Sequence, residues 1–135
     1  MNVKRLTLSS FAVYIFIFAF DWIFHGVFLQ DTYAQTPTLW RAKAEMAAYL
    51  PFLFAGQLLF SFVFSYIFVQ GYENKGIPEG FRYGLWIALI LNAVTLTHYA
   101  VTPYPVGLVV SWVVGNFLEM GLAGAVLAAL YKPKG

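Results

Sequence analysis

Asp21 and His25 stand four residues apart inside FAVYIFIFAFDWIFHGVFLQD, an apolar run long enough to cross a bilayer. At that spacing a carboxylate and an imidazole share one helix face, and both are too costly to leave against acyl chains. Such a pair can move a proton, hold a small ligand or, with further ligands, bind a metal. Other polar residues recur at helical spacings: Gln57, Ser61 and Ser65 on one stripe, Asn92, Thr95, His98, Tyr99 and Thr102 on one arc, Asn116 and Glu119 at i, i+3. We therefore take Asp21, His25, Gln57, Asn92, His98, Asn116 and Glu119 as the candidate pocket, and His25, His98 and Glu119 as candidate metal ligands.

Each residue also has a purely structural reading. The amides and serines suit interhelical hydrogen bonds worth ~0.6 kcal/mol each within a membrane, and Asp21 and His25 suit a local pair. Glu119 resists that reading, because a lone carboxyl near the midplane must carry a proton or meet a partner. The expected arrangement has Asp21 ionised and hydrogen-bonded to His25, with a neutral Glu119 donating to Asn92, Asn116 or Gln57.

The elements that would position these groups follow from composition. The chain has 135 residues, 61% hydrophobic and 10% charged, against roughly 25% charged in a soluble domain. With a mean hydropathy of +0.71 it reads as an all-α integral membrane four-helix bundle. One transmembrane domain over 1–135 is expected, with spans near 6–29, 46–69, 81–101 and 106–131, each about the 20 residues a crossing takes. Lys4 and Arg5 before the first apolar run imitate a signal peptide, but the run is longer than a usual h-region and holds an acid, so it is read as a retained span.

Between the first two spans, Thr36 as N-cap, Pro37 at the first helical position and Arg41 with Glu45 at i, i+4 predict a short helix anchored by Trp40. Pro51 is expected to bend the second span. Gly80 with Gly84, and the later run GLAGAVLAA, predict close helix contacts. Thr102-Pro103-Tyr104-Pro105 leaves room only for a tight turn.

Lys4, Arg5, Lys75, Arg82, Lys132 and Lys134 fall at the termini and second loop, against Arg41 and Lys43 in the first loop, so both termini are expected in the cytoplasm. Depths counted at 1.5 Å per residue then place His25 and His98 about 6–8 Å below the outer interface, Asp21, Asn92 and Asn116 about 13–15 Å, and Gln57 and Glu119 about 17–20 Å. The pocket would open toward the non-cytoplasmic side.

In layout, and in the segments FDWIFHG and EGFRYGLW, the chain resembles the small four-helix inner-membrane proteins of bacteria of uncharacterised family. That resemblance covers the full length and implies location in the inner membrane and multi-pass topology, with no mechanism.

Three function classes follow: an accessory or assembly subunit docking on other membrane subunits or on itself through small-residue faces; a ligand-binding or proton-transport element using Asp21, His25, His98 and Glu119; or a haem or divalent-metal site with histidine ligands. The absence of cysteine excludes thiol and thiolate-metal chemistry, and no phosphate loop or nucleophile elbow is present. The primary reading is a protein without catalysis or cofactor whose surroundings are lipid. A net charge of +2 without a basic patch argues against nucleic acid.

Overall fold

In a computed structural model that describes residues 1–133, the chain is helical throughout, and no strand occurs among the described residues. Its helices are α1 (Val3–Ile23), α2 (Gln30–Ala34), α3 (Lys43–Gln70), α4 (Ile77–Val101) and α5 (Val106–Leu130). Counted with the turn that follows α1, four of them are long and apolar enough to cross a membrane. Lys134, one of the charges used for orientation, lies outside the described residues.

Three of the long helices begin before their apolar stretches. Asn2 accepts the Arg5 amide at 3.0 Å, which starts α1 at Val3. The polar Lys43 and Glu45 lengthen α3 at its start. At α4, Gly76 turns the chain with φ +74°, Pro78 follows in the first turn, and Glu79 reaches back to accept the amides of Glu73 and Lys75 at 2.7 and 2.8 Å. A buried carboxylate therefore clamps the loop, where the sequence offered only a charged loop residue.

Two expectations need correction. After Ile23 the backbone widens into a π-helical turn, Phe24–Phe28, closed by the Leu29 amide on the Phe24 carbonyl at 3.0 Å. The connection beyond it holds α2 and a 3₁₀ turn, Pro37–Leu39, rather than one short helix; the Thr36 side chain caps nothing there. Arg41 lies outside any helix, so it has no i, i+4 partner in Glu45; its guanidinium sits 3.7 Å over the Tyr49 ring.

Alpha-helix α5 is the central element, packing against α4 on one side and α1 on the other, while α3 packs along α1. α4 and α5 form an antiparallel hairpin with backbones in contact. A Cβ added at Gly80 would overlap the Gly124 carbonyl oxygen, and one at Gly84 the Met120 carbonyl oxygen. The glycines thus permit the approach predicted for them. α3 meets α4 differently, through large side chains: Tyr83 donates to the Phe64 carbonyl at 2.6 Å, and its ring lies 4.8 and 5.2 Å from those of Phe64 and Phe68. Beneath them, Tyr131 is buried against Tyr72 and accepts the Asn2 amide at 3.2 Å, tying both ends of the chain to the second loop.

Candidate functional site

Near the middle of the helices, where α3 stands away from α4, a cleft of about 210 Å³ reaches in to α1 and α5. Its floor is the buried Ile17, Glu119 and Met120, and its rim the exposed Gly56 with the half-buried Phe60 and Leu91. It therefore opens between α3 and α4. Asp21 and Gln57 line its walls.

The polar atoms in this cleft are mostly acceptors. Gln57 Nε2 donates to Asp21 Oδ2 at 2.8 Å, leaving Gln57 Oε1 buried with no protein donor. Glu119 retains 7% of its exposure, and its Oε1 also faces no protein donor. The group it meets is the Asp21 carboxyl. Two carboxyl groups can hydrogen-bond to each other only when one of them carries a proton. The pair holds a proton or needs a donor from outside the chain.

Three of the seven candidates, Asp21, Gln57 and Glu119, thus come together. His25 is joined at one remove: its Nε2 lies 3.6 Å from Asp21 Oδ1, inside ion-pair range but too long for a good hydrogen bond. Its short contact is elsewhere, from Nδ1 to the Tyr33 hydroxyl at 2.6 Å. The expected Asp21–His25 hydrogen bond is therefore replaced by the one from Gln57.

Asn92 and Asn116 satisfy each other, with Asn116 Nδ2 donating to Asn92 Oδ1 at 2.7 Å and Asn92 Nδ2 donating to the Val113 carbonyl at 3.3 Å. They are interhelical fasteners and do not receive a proton from Glu119. His98 is exposed, against the expectation that it faces inward. The contact stripe Gly80, Gly84, Ala88, Asn92 advances about 40° per four residues at 100° each, so it has rotated away from His98 by the last turns of α4. Among the described residues no three His, Asp or Glu side chains stand close enough to share a metal ion, so His25, His98 and Glu119 are not a ligand set.

The sequence reading missed an aromatic group that gathers on Tyr33, beyond the π turn. Tyr33 from α2 accepts Trp112 Nε1–H at 2.9 Å and stacks on His25 with centroids 6.0 Å apart. Trp40 packs edge-on against Tyr33 at 5.1 Å and face-on against Tyr104 at 6.0 Å, while donating Nε1–H to Thr36 Oγ1 at 2.9 Å. Burial raises the Tyr33 phenol above its ordinary value, the Trp112 hydrogen bond pulls it down and the Asp21 charge raises it further. No periodic signal could have found Tyr33, because the π turn shifts the register between it and His25.

A larger groove of about 300 Å³, between Tyr14, Ile15, Phe18 and Phe54, contains no acid, amide or histidine. No protein-family model, curated protein or solved structure matches this chain.

Proposed function

We propose that this protein is a small multi-pass protein of the cytoplasmic membrane, its four long helices forming a bundle with both termini in the cytoplasm, that binds a small ligand in an intramembrane polar cleft. The six-to-two division of Lys and Arg supports that orientation. Four helices long and apolar enough to span support the membrane setting. One observation carries the binding reading: Gln57 Oε1 and Glu119 Oε1 are buried without a protein donor on residues that line a cleft together with the apolar Ile17, Phe60, Leu91 and Met120. An unpaired buried acceptor costs about 1–3 kcal/mol, and a hydrogen-bond donor on an apolar body removes that penalty. Catalysis is not part of this reading, and neither is a histidine-ligated haem, since His98 stands outside the cleft.

The test is a substitution at the rim. A Cβ at Gly56 meets nothing within 4 Å, so Gly56→Phe leaves the packing intact while placing a ring over the opening. Phenethyl alcohol and phenethylamine should bind the wild-type protein in nanodiscs saturably by calorimetry, and Gly56→Phe should bind neither while unfolding at the same temperature. Failure of both ligands to bind, or equal binding to the variant, removes the cleft from consideration. Reporter fusions near Gln35 and at Gly135 should fall on opposite sides of the membrane; the same side for both ends the orientation.

A further inference from the structure

We infer that the cleft takes a primary amine in its protonated form in exchange for the proton held between Asp21 and Glu119, an inference that rests on the binding reading above. An acidic pair alone would not indicate a ligand. The independent observation is that Glu119, more than nine-tenths buried, lines the cleft with an oxygen that meets no protein donor, and that Gln57 Oε1, on a residue lining the same cleft, is in the same condition.

Counting donors selects the amine. The cleft offers three acceptor groups, Gln57 Oε1, Glu119 Oε1 and the Asp21 carboxyl, and an ammonium carries three N–H donors where a hydroxyl carries one. Charge selects the exchange. With one shared proton the acid pair carries −1; with both acids ionised and one ammonium bound, the sum is again −1. The buried site therefore sees the same net charge before and after, which avoids the cost of adding an uncompensated charge to an apolar interior. A permanent cation without N–H groups would match the charge and leave the acceptors unpaired.

In the step itself, the O–H bond of the protonated carboxyl breaks and the ammonium N–H groups replace it as hydrogen-bond donors. The proton leaves by His25, whose Nε2 stands 3.6 Å from Asp21 and whose ring is half exposed, so it can pass the proton on to water. Tyr33 is a positioning residue, holding the ring through Nδ1 at 2.6 Å. Around the acid pair the titratable groups are Asp21 from α1, His25 from the π turn that follows it, Glu119 from α5 and Tyr33 from α2. α3 contributes Gln57 and α4 contributes Leu91 and Asn92, none of which titrates.

The experiment uses the whole chain in phosphatidylcholine nanodiscs, with phenethylamine, phenethyl alcohol and phenethyltrimethylammonium as probes and calorimetry in two buffers of different ionisation enthalpy. Phenethylamine should bind with release of one proton, and its Kd should fall about tenfold per pH unit between pH 6 and 8. The alcohol should bind more weakly with no proton released, and the trimethylammonium weakest. Glu119→Gln, with an unchanged unfolding temperature, should abolish the proton release and flatten the pH dependence; Asp21→Asn provides the same test should the first variant not fold. If the alcohol binds and Gly56→Phe blocks it, yet the amine releases no proton or binds no better, the cleft stands and the exchange is wrong. If no probe binds, both readings fall.

Discussion

The α4–α5 contact and the α3–α4 contact are made by similarly apolar helices, yet one closes and the other gapes. In the hairpin, Gly80 and Gly84 lie directly on Gly124 and the Met120–Gly121 backbone, so the two helices meet with no side chain between them. Across the molecule, α3 is spaced from α4 by phenylalanine and tyrosine rings, and where the rings stop, at Gly56 and Gln57, the cleft begins. Small residues at a contact make a platform; large ones at neighbouring levels make a wall with a hole in it. The acids sit where the two kinds of packing meet, Glu119 on the platform and Asp21 on the wall.

The sharpest way to break this comparison is to give the two halves equivalent insults. Gly84→Val forces a side chain into the Met120 carbonyl, and since backbone cannot yield cheaply the loss should reach about 3 kcal/mol or more, the upper end for overpacking. Denaturant titration in mixed micelles should show the variant largely unfolded where wild type is folded. Gly56→Phe, which adds more atoms, should leave the midpoint unchanged because open space surrounds it. Equal effects at the two glycines would show that the hairpin is no more tightly packed than the rest.

How much of this was legible in the sequence differs between the two halves for the same reason. Gly80 and Gly84 at i, i+4 mark a close contact whatever the partner, and the pairing of a midplane acid with polar groups on other helices is demanded by the cost of burying it. Gln57, Asp21 and Glu119 were accordingly found. Which polar group would meet which was not readable, because it depends on helix rotation: a drift of about 40° per four residues, trivial at Gly84, carries His98 out of the interior six residues beyond Asn92. The π turn at Phe24–Phe28 leaves no composition signal at all, and with it the placing of Tyr33 beneath His25 was invisible.

A smaller effect tests whether the aromatic group around Tyr33 holds the wall in place. Tyr33→Phe deletes the oxygen that meets His25 Nδ1 and accepts from Trp112, at a cost of about 1 kcal/mol for typical hydrogen bonds. The pH dependence gives a second readout. Because burial raises the phenol above 10 in the fold, its contribution is fully present below pH 10 and is lost as pH rises from there through the folded value, where the unfolded chain binds fewer protons. Wild type should therefore lose stability above pH 10 more steeply than Tyr33→Phe. Parallel curves would mean that the hydroxyl is open to water and that His25 is not held from that side.

The smallest effect is expected at the opposite end of the molecule, in the loop that feeds the glycine platform. Glu73 pairs with Lys75 on the surface, and the hydrogen bond to that ammonium, followed by its charge, holds the Glu73 carboxyl below the usual value. A depressed carboxyl contributes above its unfolded value near 4.5 and loses that contribution as pH falls through the folded one. Full exposure and salt screening keep it slight, so Glu73→Gln should change the unfolding midpoint at pH 7 barely beyond error and remove only a shallow acid-side slope. Glu79 sits six residues on, buried in the first turn of α4, with the amides of Glu73 and Lys75 on its two oxygens, and Glu79→Gln replaces one of those acceptors with a donor. Its midpoint should drop clearly in the same titration. If the two variants behave alike, the buried carboxylate is not what sets the entry of α4, and Gly80 and Gly84 must reach α5 by the pull of the hairpin contact itself.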